Sequence, residues 1–209
     1  MENILDLYSK PYDKTHPLIC VDERPCYLIG DVLTPIPMSA RQSKREDYEY
    51  EKKGSCTVFM AFEPGTGQRW VQVYKRRRGL EYKKFMEFVA KQFPRVERIK
   101  VVQDNLNTHQ AGSFYAHLEP GKAFRLAQRF EWHYTPKHAS WLNMVELEFS
   151  ALSKQCLDRR IVSMALLEAE VNAWVADRNE KRVSVDWQFS VGEARVKLAR
   201  HYKGASKLA

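Results

Sequence analysis

Two aspartates of this chain each follow a short apolar stretch. Asp22 comes directly after residues 18–21, and Asp104 follows residues 99–103. Such stretches are typical of central strands that are buried on both faces of a sheet. Open α/β sheets bind ligands at the edge where those strands end, so neighbouring strands would bring the two carboxylates together. Two carboxylates at such a short distance repel each other unless they share a proton or bind a cation. A divalent cation that prefers oxygen ligands can bind both carboxylates and remove the repulsion.

A third carboxylate is predicted on a helix farther along the chain. Apolar residues recur at helical spacing between residues 141 and 156, which indicates an amphipathic helix. Its polar face carries Asn143, Glu146, Ser150 and Ser153, and Glu146 comes early enough to reach the edge of the sheet. Together with the two aspartates, Glu146 could hold two Mg²⁺ ions about 3.5–4 Å apart, with Mn²⁺ as a substitute, as in phosphoryl transfer.

Other acids compete for two of these places. Glu148 is an alternative to Glu146, and Glu23 is a weaker alternative to Asp22 because adjacent residues of a strand face opposite ways. Asn105 and Asn143 are candidates for hydrogen-bond donors that fix the carboxylate orientations.

The elements that would position these residues alternate along the chain. Residues 1–17 are predicted to be an irregular lead-in, because Pro11 and Pro17 interrupt regular structure. Strands are predicted at residues 18–21, 26–33, 55–62, 69–74, 99–102 and 130–134. Helices are predicted at residues 82–93, 119–128 and 141–156, and two further helices begin at about residues 163 and 190. The turn residues at 63–68 indicate an antiparallel hairpin. A hairpin followed by strand–helix–strand units predicts an α/β fold, a mixed sheet with helices on both faces.

The positive charge is concentrated in one part of the chain. The protein carries a net charge of +8, and residues 41–100 hold 16 Lys+Arg against 8 Asp+Glu. The basic runs there include Arg41, Lys44 and Arg45, and the contiguous run Lys75, Arg76, Arg77 and Arg78. Interleaved aromatic residues favour contacts to the phosphate backbone of a nucleic acid, although a solvated surface is the other interpretation of any single run.

Several classes of protein and site are excluded or disfavoured. No run of eighteen apolar residues is present, and the first residues lack a signal-peptide pattern, so we expect a cytoplasmic protein without a membrane partner. The four scattered cysteines predict buried thiols rather than a disulfide framework or a zinc site. His133 and His138 lack partners that would complete a tetrahedral zinc set. The glycines of residues 65–67 are too few for a phosphate loop, and no organic cofactor is expected.

Three sequence blocks resemble a known family. Residues 21–25, residues 102–109 and residues 135–146 are similar to the catalytic blocks of DDE transposases of the mariner-like superfamily, in its bacterial insertion-sequence branch. The likeness extends over residues 18–202, with a basic tail at 203–209. It implies an RNase H-like fold with a mixed five-stranded sheet, and Asp22, Asp104 and Glu146 as the metal-binding triad.

The resemblance also implies partners and supporting residues. Double-stranded DNA, both transposon ends and target at a TA dinucleotide, would be the substrate. His109 would contact the scissile phosphate or orient the second aspartate, unless it is a loop histidine with a local hydrogen bond. Residues 27–53 match in position a loop that clasps a second subunit, which implies a homodimer. Family members carry N-terminal helix-turn-helix modules, whereas only seventeen residues precede the first predicted strand here.

Two kinds of function follow. The first is an enzyme, a transposase catalytic domain that hydrolyses phosphodiesters at transposon ends and transfers the strand into target DNA. The second is a truncated, non-catalytic regulator that binds DNA or pairs with a full-length transposase. A plain RNase H-like nuclease or a junction resolvase is a third, weaker hypothesis.

Overall fold

The core of the structure is a mixed sheet of five strands. The computed structural model describes residues 1–106 and 110–200. The strands are β1 (Leu18–Asp31), β2 (Tyr50–Glu63), β3 (Gln68–Tyr74), β4 (Ile99–Gln103) and β5 (Phe130–Tyr134), in the order β3-β2-β1-β4-β5. The first three strands pair antiparallel, whereas β4 lies parallel to β1 and β5 parallel to β4. The predicted α/β fold with a mixed sheet is confirmed.

Helices cover both faces of this sheet. The helices are α1 (Glu2–Ser9), α2 (Gly79–Gln92), α3 (Gly112–Tyr115), α4 (Pro120–Gln128), α5 (Val145–Gln155), α6 (Met164–Glu180) and α7 (Val191–Lys197), with a 3₁₀ turn at Ser140–Leu142. One core joins α1, α5, α6 and α7 to one face, which we call the α5 face. A second core joins α2, α3 and α4 to the other, the α2 face.

The side chains of β1 alternate between these two cores. Cys20 packs in the core of the α5 face, whereas Ile19 and Val21 pack in that of the α2 face. This alternation is the period-two pattern of a strand that is covered on both sides. By the same parity Asp22 points to the α5 face and Glu23 to the α2 face.

The prediction that residues 1–17 form an irregular lead-in is wrong for α1. Glu2–Ser9 is helical, and Ile4, Leu5 and Leu7 are buried in the core of the α5 face. Their spacing places them on one side of a helix, and the first proline comes only at position 11, after the helix has ended. The prolines therefore limit the length of α1 without preventing it.

The first strand is also longer than predicted, because β1 includes Asp22 and residues 26–31 of the separate strand expected at 26–33. β4 pairs with β1 over Leu18, Ile19 and Cys20, and from there on β1 pairs with β2. Beyond Cys20 the strand is an edge on its β4 side, where Pro25 is tolerated. Asp22 therefore lies inside a strand, just past the point where the parallel pairing ends.

The far end of the β1–β2 hairpin is anchored to the segment after α5. The register of the hairpin shifts between Leu28 and Ile29, where Gly54 adopts a positive φ of 116°. The N–H of Ile29 donates to the carbonyl of Ile161 over 2.9 Å. Arg160 donates to Asp31 over 2.6 Å and also to the carbonyl of Asp47.

Two exclusions drawn from the sequence can be compared with the structure. Within residues 1–106 and 110–200, none of the helices has the length and apolar character needed to cross a membrane. All four cysteines are free thiols, with Cys20 and Cys56 buried and Cys26 and Cys156 half-buried.

Candidate active site

The strand register brings Asp22 and Asp104 together. Cys20 pairs with Val102 in the parallel ladder, and the same register carried two residues farther places Asp22 level with Asp104. Both residues have the parity of Cys20 and Val102, which pack on the α5 face. The parallel pairing ends at Cys20, but besides the larger effect of burial the charge of Asp104 raises the pKa of Asp22, so the two carboxylates lie near each other at the carboxyl end of β4.

Glu146 approaches the same place from the helix. It is the second residue of α5, so its side chain lies at the helix end nearest to the strand edge. Burial raises the pKa of Glu146, Arg24 opposes part of this rise, and charge repulsion from Asp104 adds to it. The carboxylates of Glu146 and Asp104 are therefore close enough to repel each other.

Asp22 is the most perturbed acid of the site. Its pKa rises to about 8, chiefly because burial penalises the charged form, and further because Glu23, Asp104 and Glu146 repel its charge. A hydrogen bond from the N–H of Glu23, over 2.8 Å, offsets part of this rise. The three predicted acids thus form one electrostatically coupled group with an excess of negative charge.

This group suits a hard cation in its chemistry. Carboxylate oxygens are the ligands that Mg²⁺ and Mn²⁺ favour, and a bound cation would relieve the repulsion. In the described parts of the chain, however, no group of three or more His, Cys, Asp or Glu side chains is arranged to hold a metal ion. The acids are near neighbours without forming a finished ligand set.

Asn143 joins the two segments that carry Asp22 and Glu146. Its side-chain Nδ2 donates to the carbonyl of Val21 over 2.9 Å, and its own carbonyl accepts from the N–H of Glu146 over 3.0 Å. The residue is only 1% exposed, and its Oδ1 is buried with no hydrogen-bond partner within the described residues. The structure therefore places Asn143 where it orients the backbone around both acids.

Arg24 is a neighbour of the site that sequence reasoning missed. Its Nη1 donates to the carbonyl of Phe149 over 3.0 Å and also to the hydroxyl of Ser153. The guanidinium thereby ties β1 to α5 and opposes part of the rise in the pKa of Glu146 that burial causes. Its position two residues after Asp22, on the same face of a strand, was the available signal.

The two alternative acids each have a basic partner, although Glu23 is close enough to Asp22 to repel its charge. Glu23 lies on the α2 face, where Arg77 approaches it to 3.8 Å. Glu148 is 1% exposed and forms ion pairs with Arg69, over 2.5 and 2.8 Å, and with Arg178, over 3.1 Å. With both carboxylate oxygens engaged by two guanidinium groups, Glu148 fastens α5 to β3 and α6.

The longest basic run lies near Glu23, the residue that follows Asp22. Residues 75–78 form an exposed loop between β3 and α2, and Arg77 of this loop approaches Glu23 to 3.8 Å. Arg41, Lys44 and Arg45 lie in a second exposed segment, beyond the far end of the β1–β2 hairpin. The two basic runs therefore occupy different parts of the surface.

The remaining candidates have less defined places. Asn105 is exposed, and the predicted role of His109 lies outside the described residues. His133 contacts Glu131 over 2.9 Å, and His138 is a loop residue with a positive φ of 64°.

The fold and the acidic group together define a class of protein. A mixed five-stranded sheet between two helical layers, with clustered carboxylates where its central strands diverge, is an RNase H-like domain. A model of the DDE superfamily endonuclease family matches residues 17–167, a range that contains all three acids. The chain belongs to the DDE superfamily endonuclease family.

Solved structures of a transposase share this fold. The Mos1 mariner paired end complex with Mn superposes with a TM-score of 0.59 at 12% identity, covering 87% of this chain and 54% of that chain. The Mos1 Strand Transfer Complex gives a TM-score of 0.57 at 12% identity, covering 87% and 55%. This chain thus spans little more than half the length of the Mos1 chains. A comparison with curated proteins gives no match.

Proposed function

We propose that this protein is the catalytic domain of a mariner-like DNA transposase of the bacterial insertion-sequence type. The reaction would hydrolyse a phosphodiester at a transposon end and then join the freed 3′-hydroxyl to target DNA. The observation that carries the proposal is the coupling of Asp22, Asp104 and Glu146 within a DDE superfamily endonuclease domain. Such a protein would act on DNA in the bacterial cytoplasm.

Asp22, Asp104 and Glu146 would hold two divalent ions, Mg²⁺ or Mn²⁺ in its place. Bound there, the ions would supply a water of lowered pKa and positive charge opposite the entering and leaving oxygens of the phosphodiester. The chain itself would supply the geometry. Asn143 and Arg24 hold α5 against β1 and would keep the segments that carry the carboxylates together.

The basic loop at residues 75–78 would bind the DNA backbone. Its exposed cations lie near Glu23, the residue that follows Asp22, so a phosphodiester at the acidic group would place neighbouring phosphates within their reach. Contacts of this kind position a duplex without reading its sequence. Arg41, Lys44 and Arg45 would contact DNA farther from the scissile bond.

The far end of the β1–β2 hairpin would contact a second subunit. Large apolar side chains are exposed on it and on the segment that follows: Tyr27, Val32, Leu33, Ile36, Met38, Tyr48 and Tyr50. An exposed apolar surface of this extent is typical of protein interaction sites. This supports residues 27–53 as a subunit-clasping region and a homodimer as the working form.

A DNA nicking assay tests the proposal. Wild-type protein should nick duplex DNA that carries a transposon end in the presence of Mg²⁺ or Mn²⁺, and EDTA should abolish the reaction. Asp104→Asn should remove activity but leave DNA binding intact. Binding without metal-dependent nicking would support the non-catalytic regulator instead, and equal nicking of any duplex without strand transfer would support a plain nuclease.

A further inference from the structure

The hydroxyl group of Tyr8 connects two segments that carry the acidic group. Tyr8 lies near the end of α1, and its hydroxyl donates to the backbone carbonyl of Leu142 over 2.6 Å. The same oxygen lies 3.4 Å from Sγ of Cys20. Leu142 ends the 3₁₀ turn before α5, and Cys20 precedes Asp22 by two residues on the same face of β1.

The contacts continue from Leu142 to the acids through the next residue. Asn143 bonds to the carbonyl of Val21 with its side chain and to the N–H of Glu146 with its backbone. A shift of the chain at Leu142 would therefore move both bonds of Asn143. The position of Glu146 relative to Asp22 depends on this short stretch.

The surroundings of Tyr8 keep its hydroxyl in one place. The ring packs against Trp187 at a centroid distance of 5.2 Å, and the buried side chains of α1 fix the helix on the α5 face. Burial raises the pKa of Tyr8 well above its usual value, so the hydroxyl keeps its proton and remains a donor. Arg195 on α7 also holds the start of α1, through a contact to Glu2 over 2.8 Å.

We propose that Tyr8 is a positioning residue of the acidic site, which sets Glu146 relative to Asp22 through its hydrogen bond to Leu142. Tyr8 touches neither substrate nor metal and acts through the segment that it holds. This assignment rests on the proposed function, because it requires that the acids bind a divalent ion. Residues that orient metal ligands from behind typically change metal affinity or activity by about 10–100-fold when they are replaced.

Tyr8→Phe is the test, because it removes the hydroxyl and keeps the ring that packs against Trp187. Tyr12→Phe is a matched control: the Tyr12 hydroxyl donates to Glu63 over 3.1 Å, at the turn between β2 and β3. The first readout is the Mg²⁺ concentration that gives half of the Mg²⁺-induced rise in melting temperature. The second is the kcat and KM of nicking.

We expect Tyr8→Phe to raise the half-saturating Mg²⁺ concentration about tenfold and to lower kcat, with KM for DNA unchanged. Tyr12→Phe should match the wild type in both readouts. The assignment is overturned if Tyr8→Phe behaves as the wild type, or if both variants lose Mg²⁺ affinity equally. A wild-type protein that Mg²⁺ does not stabilise contradicts the proposed function and, with it, this assignment.

A second variant separates the two contacts of the hydroxyl. Cys20→Ala removes the contact to Cys20 and leaves the bond to Leu142 in place. Because the assignment depends on the bond to Leu142, the half-saturating Mg²⁺ concentration of Cys20→Ala should stay close to that of the wild type. A rise as large as in Tyr8→Phe would mean that the packing around Cys20, and not the bond to Leu142, positions the acids, and it would overturn the assignment.

Discussion

The side-chain amide of Asn143 donates a hydrogen bond to the backbone carbonyl of Val21 over 2.9 Å. The two residues lie far apart in the sequence, yet each is close to one acid of the site. Val21 precedes Asp22, and Asn143 precedes Glu146 by three residues. The bond holds the residues just before α5 against the middle of β1. It therefore sets the position of Glu146 on the helix relative to Asp22 on the strand.

Divalent metal should stabilise the folded protein through these acids. A ligand that binds only the folded state at 100 times its Kd adds about 2.7 kcal/mol. For a domain of this size that is a rise in Tm of about 5–10 °C. Asp104→Asn should lose most of this rise, whereas Asp158→Asn, at an exposed site after α5, should keep it. An equal rise in both variants, measured by thermal denaturation with Mg²⁺, would place the metal elsewhere.

Without metal, the burial of Asp22 and the repulsion from its acidic neighbours should make stability depend on pH. The pKa of Asp22 is about 8 in the folded protein against an ordinary value of 3.8, so between these values the folded chain holds a proton that the unfolded chain has lost. Stability from this group is therefore present at low pH and declines as the pH rises toward 8.

Asp22→Asn should remove this decline. In EDTA, the difference between the Tm of the variant and the Tm of the wild type should increase as the pH is raised from about 5 to about 8.5. Over most of this range the folded wild type holds a proton on Asp22 that the unfolded chain has lost. Thermal denaturation at a series of pH values measures the difference. Parallel profiles for the two proteins would show that Asp22 is ionised in the folded state throughout.

Glu148 should matter for stability and not for metal. Glu148→Gln leaves Arg69, whose side chain is 0% exposed, and the largely buried Arg178 without their carboxylate. Breaking a buried ion pair in this way costs about 3–5 kcal/mol. Denaturant unfolding should show this loss, whereas Glu168→Gln on the exposed face of α6 should stay within about 0.5 kcal/mol of the wild type. A stable Glu148→Gln protein that no longer binds Mg²⁺ would reinstate Glu148 as the third ligand.

DNA affinity should fall steeply with salt, and the loop at residues 75–78 should account for part of that slope. Each phosphate contact contributes about −0.9 to the slope of log K against log salt concentration. Replacing Lys75, Arg76, Arg77 and Arg78 by Ala should flatten the slope, and transposon-end and scrambled duplexes should bind almost alike. The measurement is a salt titration by fluorescence anisotropy.

A control for this loop lies at the other end of the sheet. Lys91, Arg95 and Arg98 are exposed and precede β4, whereas the acids follow it. Replacing these three by Ala should leave the slope close to that of the wild type. A slope that depends equally on both sets would mean that DNA binds without a preferred surface. A strong preference for transposon-end sequence would mean that this domain reads bases itself.

The strands and the acids could be predicted because each is encoded locally. An apolar run followed by Asp22 or Asp104 indicates both a buried strand and a charge at its edge, and α5 shows its polar face in its periodicity. The ranking of Glu23 as a weaker candidate than Asp22 also followed from local geometry, since adjacent residues of a strand face opposite ways. These features need no knowledge of the rest of the fold.

The residues that hold the acids in place depend on contacts between distant segments. The bond from Tyr8 to Leu142 spans 134 positions, and that from Arg24 to Phe149 spans 125. No periodicity of α1 or β1 indicates which carbonyl will lie opposite these side chains. The pairing of Arg69 with Glu148 was missed for the same reason, because a charged residue within a strand ordinarily indicates a solvated face.

The central claim is that Asp22, Asp104 and Glu146 form one metal site. Crystals of the protein soaked in Mn²⁺ test it directly, because anomalous scattering locates the ion without assumptions about ligands. We expect anomalous density between the three carboxylates, and none at His133 or His138. Density at the histidines, or its absence beside Asp22 and Asp104 at saturating Mn²⁺, would contradict the metal-dependent mechanism.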